Sequence, residues 1–378
     1  KVPFGRANKL RLGVLTRLKE DTQEENIKPV HSVHSDRFSL SREMLGLCFF
    51  IKEYTLCTLG EAVRTVLPPG SLRDSLNLKI DKTCVLDKPR EEVATLLSQA
   101  GRAGIRSDGQ RRILSYLLGI GKADMSLIRQ IPGFSYAQIN ALRERGLIKV
   151  LEYESIRNPY SAYAKDRDTS EIILSPAQTV AYEKIESLYR ENAAKCGLLF
   201  GVTGSGKTKV IMKAIDRTLA DKKTAIMLVP EISLTPQTVS LFCRRYGERV
   251  AVIHSSLSEG ERLDAYTRIK RGDVDLVIGT RSAIFAPLEN IGLIVIDEEH
   301  EHTYKSESSP KYHARDIARY RCATENALLL LASATPSLES YQKAMEGKYT
   351  LIRMTKRYGS ARLPEVRIVD MRGETMQG

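Results

Sequence analysis

The stretch Gly201-Val202-Thr203-Gly204-Ser205-Gly206-Lys207-Thr208 constrains the fold more than any other part of the chain. It follows the apolar run Leu198-Leu199-Phe200 and precedes Val210, Ile211, Ala214, Ile215 and Leu219, which fall on one face of a helix. A glycine-rich loop ending in Lys-Thr between a strand and a helix is a phosphate cradle. Glycines let backbone N–H groups approach phosphate oxygens, and the helix N-terminus adds the positive end of its dipole. Lys207 is placed to bridge β- and γ-phosphates, and Thr208 to offer its hydroxyl to Mg²⁺. Gly201, Gly204, Ser205, Gly206, Lys207 and Thr208 are therefore the candidate nucleotide-binding residues.

The sequence around the loop has the matching rhythm. After Ser170, apolar runs at 197–200, 225–230, 250–254, 274–278, 293–296 and 328–332 alternate with amphipathic stretches, which predicts βαβ units and a parallel sheet covered by helices on both faces. The run at 293–296 ends in Asp297-Glu298-Glu299-His300. An Asp at a strand end is the expected partner of the phosphate loop. Asp297 would hold the hydration shell of Mg²⁺, and Glu298 would orient or deprotonate the attacking water. Asp297, Glu298 and Lys207 are the candidate catalytic residues, and Thr208 and Asp297 the candidate metal residues.

Upstream the pattern changes, and 378 residues exceed one ordinary core, so two or three domains are expected. Residues 1–85 open with a basic stretch whose alternation over Leu10–Leu15 suggests a strand, followed by helical spacing from Ser41 to Leu67 that stops at Pro68-Pro69-Gly70. In residues 86–160, helical patterns lead to Arg143-Glu144-Arg145-Gly146 and then to alternating Leu147, Ile148, Val150 and Tyr153. That order suggests the helix, glycine stop and β-ribbon of a winged helix. A polar linker, Ser161–Glu171, precedes a lobe over 170–378.

A net charge of +12 favours an acidic polymer as partner. No apolar run approaches the roughly 20 residues of a membrane span. The six cysteines form no C-x-x-C pair, so neither a zinc site nor a disulfide framework is expected. Arg102, Arg106, Arg111 and Arg112 form a basic cluster that fits a solvated face or a DNA contact. His31, His34 and His254 read as structural. The N-terminus lacks an initiator Met, which reads as processing or as a cut from something longer.

The motifs VPEISLTPQT (Val229–Thr238), HSSLSEGER (His254–Arg262), GTRSAIFAPL (Gly279–Leu288), DEEH, YHARD (Tyr312–Asp316) and SATPSLES (Ser333–Ser340) follow the phosphate loop in order. Together they resemble superfamily 2 helicases and, in wording, the bacterial primosomal replication-restart helicases of the PriA type, over about 170 to 378. Val2-Pro3-Phe4-Gly5 and the winged-helix pattern resemble that family's 3′-DNA-binding domain and its following winged helix. The resemblance implies a RecA-like P-loop lobe preceded by a small β-containing DNA-binding domain and a winged-helix domain. It implies a 3′-to-5′ DNA helicase, driven by ATP and Mg²⁺, that recognises stalled or branched forks and promotes primosome assembly and replication restart.

By the same resemblance Gln178 reads adenine. His300, Ser333 and Thr335 couple nucleotide state to DNA, and Arg281 touches the single strand. Single-stranded and forked DNA, primosome proteins and single-strand DNA-binding protein are the implied partners, in the bacterial cytoplasm on the nucleoid. The family's second RecA-like lobe, zinc-binding insertion and C-terminal domain have no counterpart in these residues, nor has the start of its 3′-DNA-binding domain. Zinc is thus expected only in an intact family member, and this chain alone is expected to hydrolyse ATP poorly or not at all.

Between DEEH and YHARD, Tyr304, Lys305, Tyr312, His313 and Arg315 gather aromatic rings and positive charge. The resemblance marks this segment as a loop by which PriA-like and RecQ-like helicases sense single-stranded DNA. Tyr304 and Tyr312 would stack on bases, with Lys305, His313 and Arg315 near phosphates. The residues by themselves also fit packed tyrosines beneath solvated charges. Some relatives place a tryptophan here, where this chain has Ser306-Glu307-Ser308-Ser309-Pro310-Lys311. The alternatives are another superfamily 2 RNA helicase or DNA translocase, or a non-hydrolysing fork-DNA-binding fragment.

Overall fold

A strand covered on both faces needs apolar residues at nearly every position, whereas a half-covered one needs them at every second. Both kinds occur in the computed structural model, which describes residues 1–4, 7–18, 20–23, 26–33, 38–71, 79–99, 105 and 107–357. The chain divides into two compact units, one made of Lys1–Asp74 with Asn158–Gly378 and the other of Ser75–Arg157.

The first unit opens with a short antiparallel pair, β1 (Val2–Phe4) and β2 (Lys9–Arg11). The strand expected over Leu10–Leu15 stops at Arg11, because its partner offers only three residues of edge. Helices α1 (Arg42–Thr55) and α2 (Leu59–Val66) follow. The Ser41 hydroxyl caps α1 by accepting from Met44 N at 3.2 Å, and Thr58 with Glu61 forms a capping box on α2. Met44, Leu47, Cys48 and Ile51 recur at helical spacing and are buried in the largest core cluster.

The second unit runs β3 (Lys79–Leu86), α3 (Arg90–Ser98), α4 (Asp108–Ile120), β4 (Lys122–Asp124), α5 (Met125–Ile128), α6 (Tyr136–Glu144) and β5 (Ile148–Ser155). Its sheet has the order β4-β3-β5, all antiparallel, over a core that includes Cys84, Ile113, Leu117, Ile139, Leu142 and Ile148. Gly146 does end α6, with φ of +64°. The strand after it does not form a ribbon with a later strand, however. It pairs with β3 from Leu86↔Ile148 to Lys79↔Ser155, which puts Ile148 and Val150 on the helix-covered face with Cys84. That pairing also draws β3 into the second unit, which starts at Ser75 and not at 86. Arg111 donates to the Leu97 and Ile105 carbonyls and Arg112 to the Pro132 carbonyl, so both brace local backbone. Arg102, Arg106 and His34 lie outside the described residues.

The remainder of the first unit is α7 (Pro176–Arg190), β6 (Lys195–Gly201), α8 (Lys207–Ala220), β7 (Thr224–Leu228), α9 (Pro236–Tyr246), β8 (Val250–Ile253), α10 (Glu259–Lys270), β9 (Leu276–Gly279), β10 (Ile291–Ile296), α11 (Ala314–Glu325), β11 (Leu328–Ser333), α12 (Leu338–Met345) and β12 (Thr350–Met354). The seven strands lie parallel in the order β12-β6-β11-β10-β7-β9-β8, a RecA-like arrangement. Each of the six expected runs contributes a strand. β12, which the sequence reading did not anticipate, adds an edge beside β6.

Successive residues serve opposite cores. Ile226, Leu228, Ile294, Ile296, Leu329 and Leu331 face the cluster that also holds α1, α2 and α11, while Ala225, Met227, Leu293, Val295, Leu328 and Leu330 face the one that holds α7, α8 and α9. Among the described residues no helix is long and apolar enough to cross a membrane.

Candidate nucleotide and nucleic-acid site

The turn from β6 into α8 depends on Gly204 and Gly206, at φ of +78° and +83°. A Cβ on Gly201 would meet Ser205 Oγ at 2.8 Å and Lys207 Cγ at 3.2 Å, so the loop closes on itself only with glycine there. The Lys207 ammonium is buried and donates to the Gly201 carbonyl at 2.9 Å. Ser205 Oγ is buried and has no hydrogen-bond partner. A confined ammonium and an orphaned hydroxyl at a helix N-terminus are a donor set that fits phosphate oxygens. Thr208 is exposed on the first turn of α8.

Gln178 is placed differently from the expectation. Its Oε1 accepts from Ser175 N at 2.9 Å as part of the α7 capping box, and its Nε2 donates to the Ser205 carbonyl at 3.1 Å. A Cβ on Gly206 would collide with that same amide nitrogen. Gln178 is 1% exposed and props the phosphate loop from beneath rather than presenting an open edge to a base.

At the end of β10, Asp297 N donates to the Leu228 carbonyl at 2.9 Å, which extends the ladder to the acid itself. Burial and the neighbouring Glu298 charge raise the Asp297 pKa to about 6, against a lowering by the Glu298 N–H and by Lys207. Glu298 sits at φ of +44°, a left-handed conformation that a side-chain-bearing residue seldom adopts. His300 connects this strand end to the next. Its Nδ1 lies 2.8 Å from Ser333 Oγ, its Nε2 3.4 Å from Thr335 Oγ1, and the Glu298 carboxylate 3.7 Å from its ring. Ser333 Oγ also accepts from Thr335 N at 2.9 Å. The expected coupling residues are thus in mutual contact.

Three comparisons bear on what this arrangement belongs to. The model of the DEAD/DEAH box helicase family matches residues 175–344, and that of the 3′DNA-binding domain (3′BD) of PriA matches residues 1–68. Replication restart protein PriA of Bacillus subtilis is 41% identical over 306 residues, covering 80% of this chain. PriA of Chlamydia muridarum is 33% identical over 99% of the chain, and PriA of Synechocystis 32% identical over 100%. The chain belongs to the PriA family of replication restart proteins. It spans 37%, 50% and 53% of the length of those three relatives. Among solved structures, RecG bound to a three-way DNA junction is similar at 21% identity and a TM-score of 0.38, covering 55% of this chain and 27% of that one. The Hef helicase domain of Pyrococcus furiosus is similar at 22% and 0.35, covering 47% and 37%.

In this PriA-family chain the residues expected at DNA divide into two groups. Neither Tyr304 nor Tyr312 is exposed, and of the two only Tyr312 lines a cleft. Tyr304 is 1% exposed and donates its hydroxyl to the Asp297 carbonyl at 2.6 Å, while Tyr312 packs edge-on against Phe285 with centroids 5.0 Å apart. Arg315 is withdrawn as well. It pairs with Glu299 at 3.0 Å and donates to the Ser337 and Ser340 hydroxyls, with side-chain exposures of 14% for Arg315 and 0% for Glu299. His313 caps α11, its Nδ1 accepting from Arg315 N at 3.1 Å. Burial first, and then the Arg315 charge, hold its pKa below the usual value. Nothing in the residue pattern marked Glu299, Ser337 and Ser340 as the anchor for that arginine. Glu299 lies 38 residues before Ser337 and 41 before Ser340, and no one of the three carries a signal by itself.

The second group stays at the surface. Lys305 is exposed, and Arg281 donates to the Thr303 and Lys305 carbonyls with its guanidinium over the Tyr312 ring at 5.8 Å. Both line a cleft of about 600 Å³ with Arg262, Thr280, Ser282 and Ser255, and with the acids Glu231 and Glu307. Arg262, which the sequence reading did not single out, has a buried Nε without a partner. Its signal was the motif HSSLSEGER itself, whose last residue it is. His254 of that motif hydrogen-bonds the Tyr160 hydroxyl, a structural role.

Proposed function

We propose that this chain carries the nucleotide-gated first lobe and DNA-binding front of an ATP-dependent DNA helicase that runs 3′ to 5′ and acts at stalled or branched forks, promoting primosome assembly and replication restart. The observation that carries the reading is the 2.6 Å bond from the Tyr304 hydroxyl to the Asp297 carbonyl. It joins the segment walling the cationic cleft to the peptide of the candidate catalytic acid, so a strand in the cleft bears on the acid through one hydrogen bond. In this reading residues 1–74 contribute 3′-end recognition, Ser75–Arg157 the winged-helix role, and residues 170–378 the motor. Primosome proteins and single-strand DNA-binding protein are the partners, in the cytoplasm on the nucleoid.

The residues fit Mg²⁺-ATP, which when bound supplies the scissile phosphoryl group and its in-line charge. Lys207 and the 204–208 backbone would hold its phosphate oxygens, and Thr208 and Asp297 would hold the ion. Glu298 takes the proton of the attacking water. His300 feels the charge at Glu298 and passes it to Ser333 and Thr335. Lys305, Arg281 and Arg262 bind strand phosphates in the cleft.

In the natural full-length protein, Glu298→Gln should abolish turnover while ATP and strand binding survive, and forked DNA should stimulate ATP hydrolysis where RNA of the same sequence does not. Equal stimulation by RNA favours an RNA helicase or general translocase. Strand affinity that ignores both nucleotide and Lys207→Ala favours a non-hydrolysing scaffold. This chain alone should turn over ATP slowly, and DNA-stimulated turnover at the full-length rate overturns that part.

A further inference from the structure

Arg321 is the largest fully buried side chain among the described residues. All five N–H groups of its guanidinium have acceptors. Nε and Nη2 donate to the two oxygens of Glu43 at 2.9 and 3.1 Å. Nη1 donates to the Ile284 and Ala286 carbonyls at 2.8 and 2.9 Å, and Nη2 also to the Leu288 carbonyl at 3.3 Å. Glu43 belongs to α1, inside the segment that matches the 3′DNA-binding domain. The three carbonyls belong to the stretch that directly follows Thr280, Arg281 and Ser282, and those three residues line the cleft.

We propose that Arg321 and Glu43 are positioning residues for strand binding. They hold the 284–288 backbone at a fixed depth so that Thr280, Arg281 and Ser282 face the cleft, and they make α1 a working part of the helicase lobe. Ile284 lies in a 3-10 turn (Arg281–Phe285) and Ala286 and Leu288 follow as the chain leaves it, so their carbonyls converge on one point, and a planar guanidinium can grip such a set where an ammonium cannot. Glu43 supplies the countercharge that lets a cation stay buried there. The same helix makes further contacts around α11. Tyr320 stacks on Phe50 at 4.5 Å, and the Tyr54 hydroxyl donates to Asp316 at 2.7 Å. α2 reaches the loop between DEEH and YHARD directly, with Ser309 Oγ donating to Glu61 at 3.2 Å. Strand-cleft geometry is therefore set from the N-terminal segment as much as from the motor's own motifs.

The proposal rests on the cleft being where a strand binds, and the test separates the two. With this chain, the affinity for a fluorescent oligo-dT is measured by anisotropy and that for a fluorescent ATP analogue by titration, for Arg321→Lys, Glu43→Asp and Arg262→Ala. Both positioning variants keep their charge, so the pair stays neutralised if the chain folds, and circular dichroism checks that it does. Arg321→Lys should weaken oligo-dT binding roughly three- to tenfold, in the range of couplings carried by packed networks, with the analogue affinity unmoved. A general loosening of the lobe would lower both affinities together and so overturn the positioning role. If Arg321→Lys does not fold, Glu43→Asp, which shortens one arm of the pair, must show the same split or the inference falls. Should Arg262→Ala leave oligo-dT binding unchanged, the cleft reading fails. Should it weaken binding while Arg321→Lys and Glu43→Asp do not, the cleft stands and the positioning inference fails.

Discussion

Asp297 is held in a state that favours its proton. A free carboxyl in its place would ionise near pH 3.8, and burial delays that to about pH 6. Below pH 4 the acid is neutral in both folded and unfolded chains and has no effect on the balance. Between pH 4 and 6 the unfolded chain loses the proton first, so the fold is progressively disfavoured, and the full effect persists above pH 6. Asp297→Asn should therefore raise stability at pH 7 by about 1–3 kcal/mol at the rate of 1.36 kcal/mol per unit. The gain should shrink toward pH 5, as read from urea midpoints at the two pH values. A second expectation concerns Gln178. Because its amide holds Ser175 N and the Ser205 carbonyl, Gln178→Ala should weaken ATP and GTP binding by a similar factor. A loss confined to ATP would restore a base-reading role. The phosphate loop and DEEH were legible because their chemistry lies in contiguous residues between regular elements. The committed state of Gln178 was not, since it depends on a carbonyl 27 positions away.

Between elements, the buried Glu299–Arg315 pair fastens the end of β10 to the start of α11 and, through Ser337 and Ser340, to the start of α12. Ser337 N reaches Glu299 at 2.7 Å while the Ser337 hydroxyl caps the helix, accepting from Ser340 N at 3.3 Å. Arg315→Ala would strand a carboxylate in the interior and should lower stability by about 3–5 kcal/mol, seen as a large drop in melting temperature. Replacing both partners by leucine should recover much of that loss. Tyr312→Ala should also act through packing against Phe285, at about 3 kcal/mol, read as a drop in melting temperature. The apolar runs identified the strands well, because parallel strands are apolar throughout. They missed β12, whose Thr350 and Arg353 break the run on an edge with solvent to one side. The winged-helix pattern likewise gave the helix and its glycine stop, while β5's choice of β3 is a long-range pairing that local alternation does not encode.

At the scale of the molecule, Ser75–Arg157 has its own core and its own sheet, so it should melt as a separate cooperative unit. Calorimetry of the chain should show a transition that Leu117→Ala moves while a core variant in the RecA-like lobe does not. A single coincident transition moved by both would contradict that independence. The order in which the cores close also has a consequence in time. The partner of Glu43 lies 278 residues further along the chain. At a synthesis rate of roughly 5–20 residues per second, Met44, Leu47 and Ile51 wait on the order of fifteen seconds to a minute before α11 emerges to cover them. The unit encoded between them can finish folding in that interval. During synthesis, then, α1 and α2 are sheltered late, and they are a stretch of the nascent chain on which a chaperone has time to act.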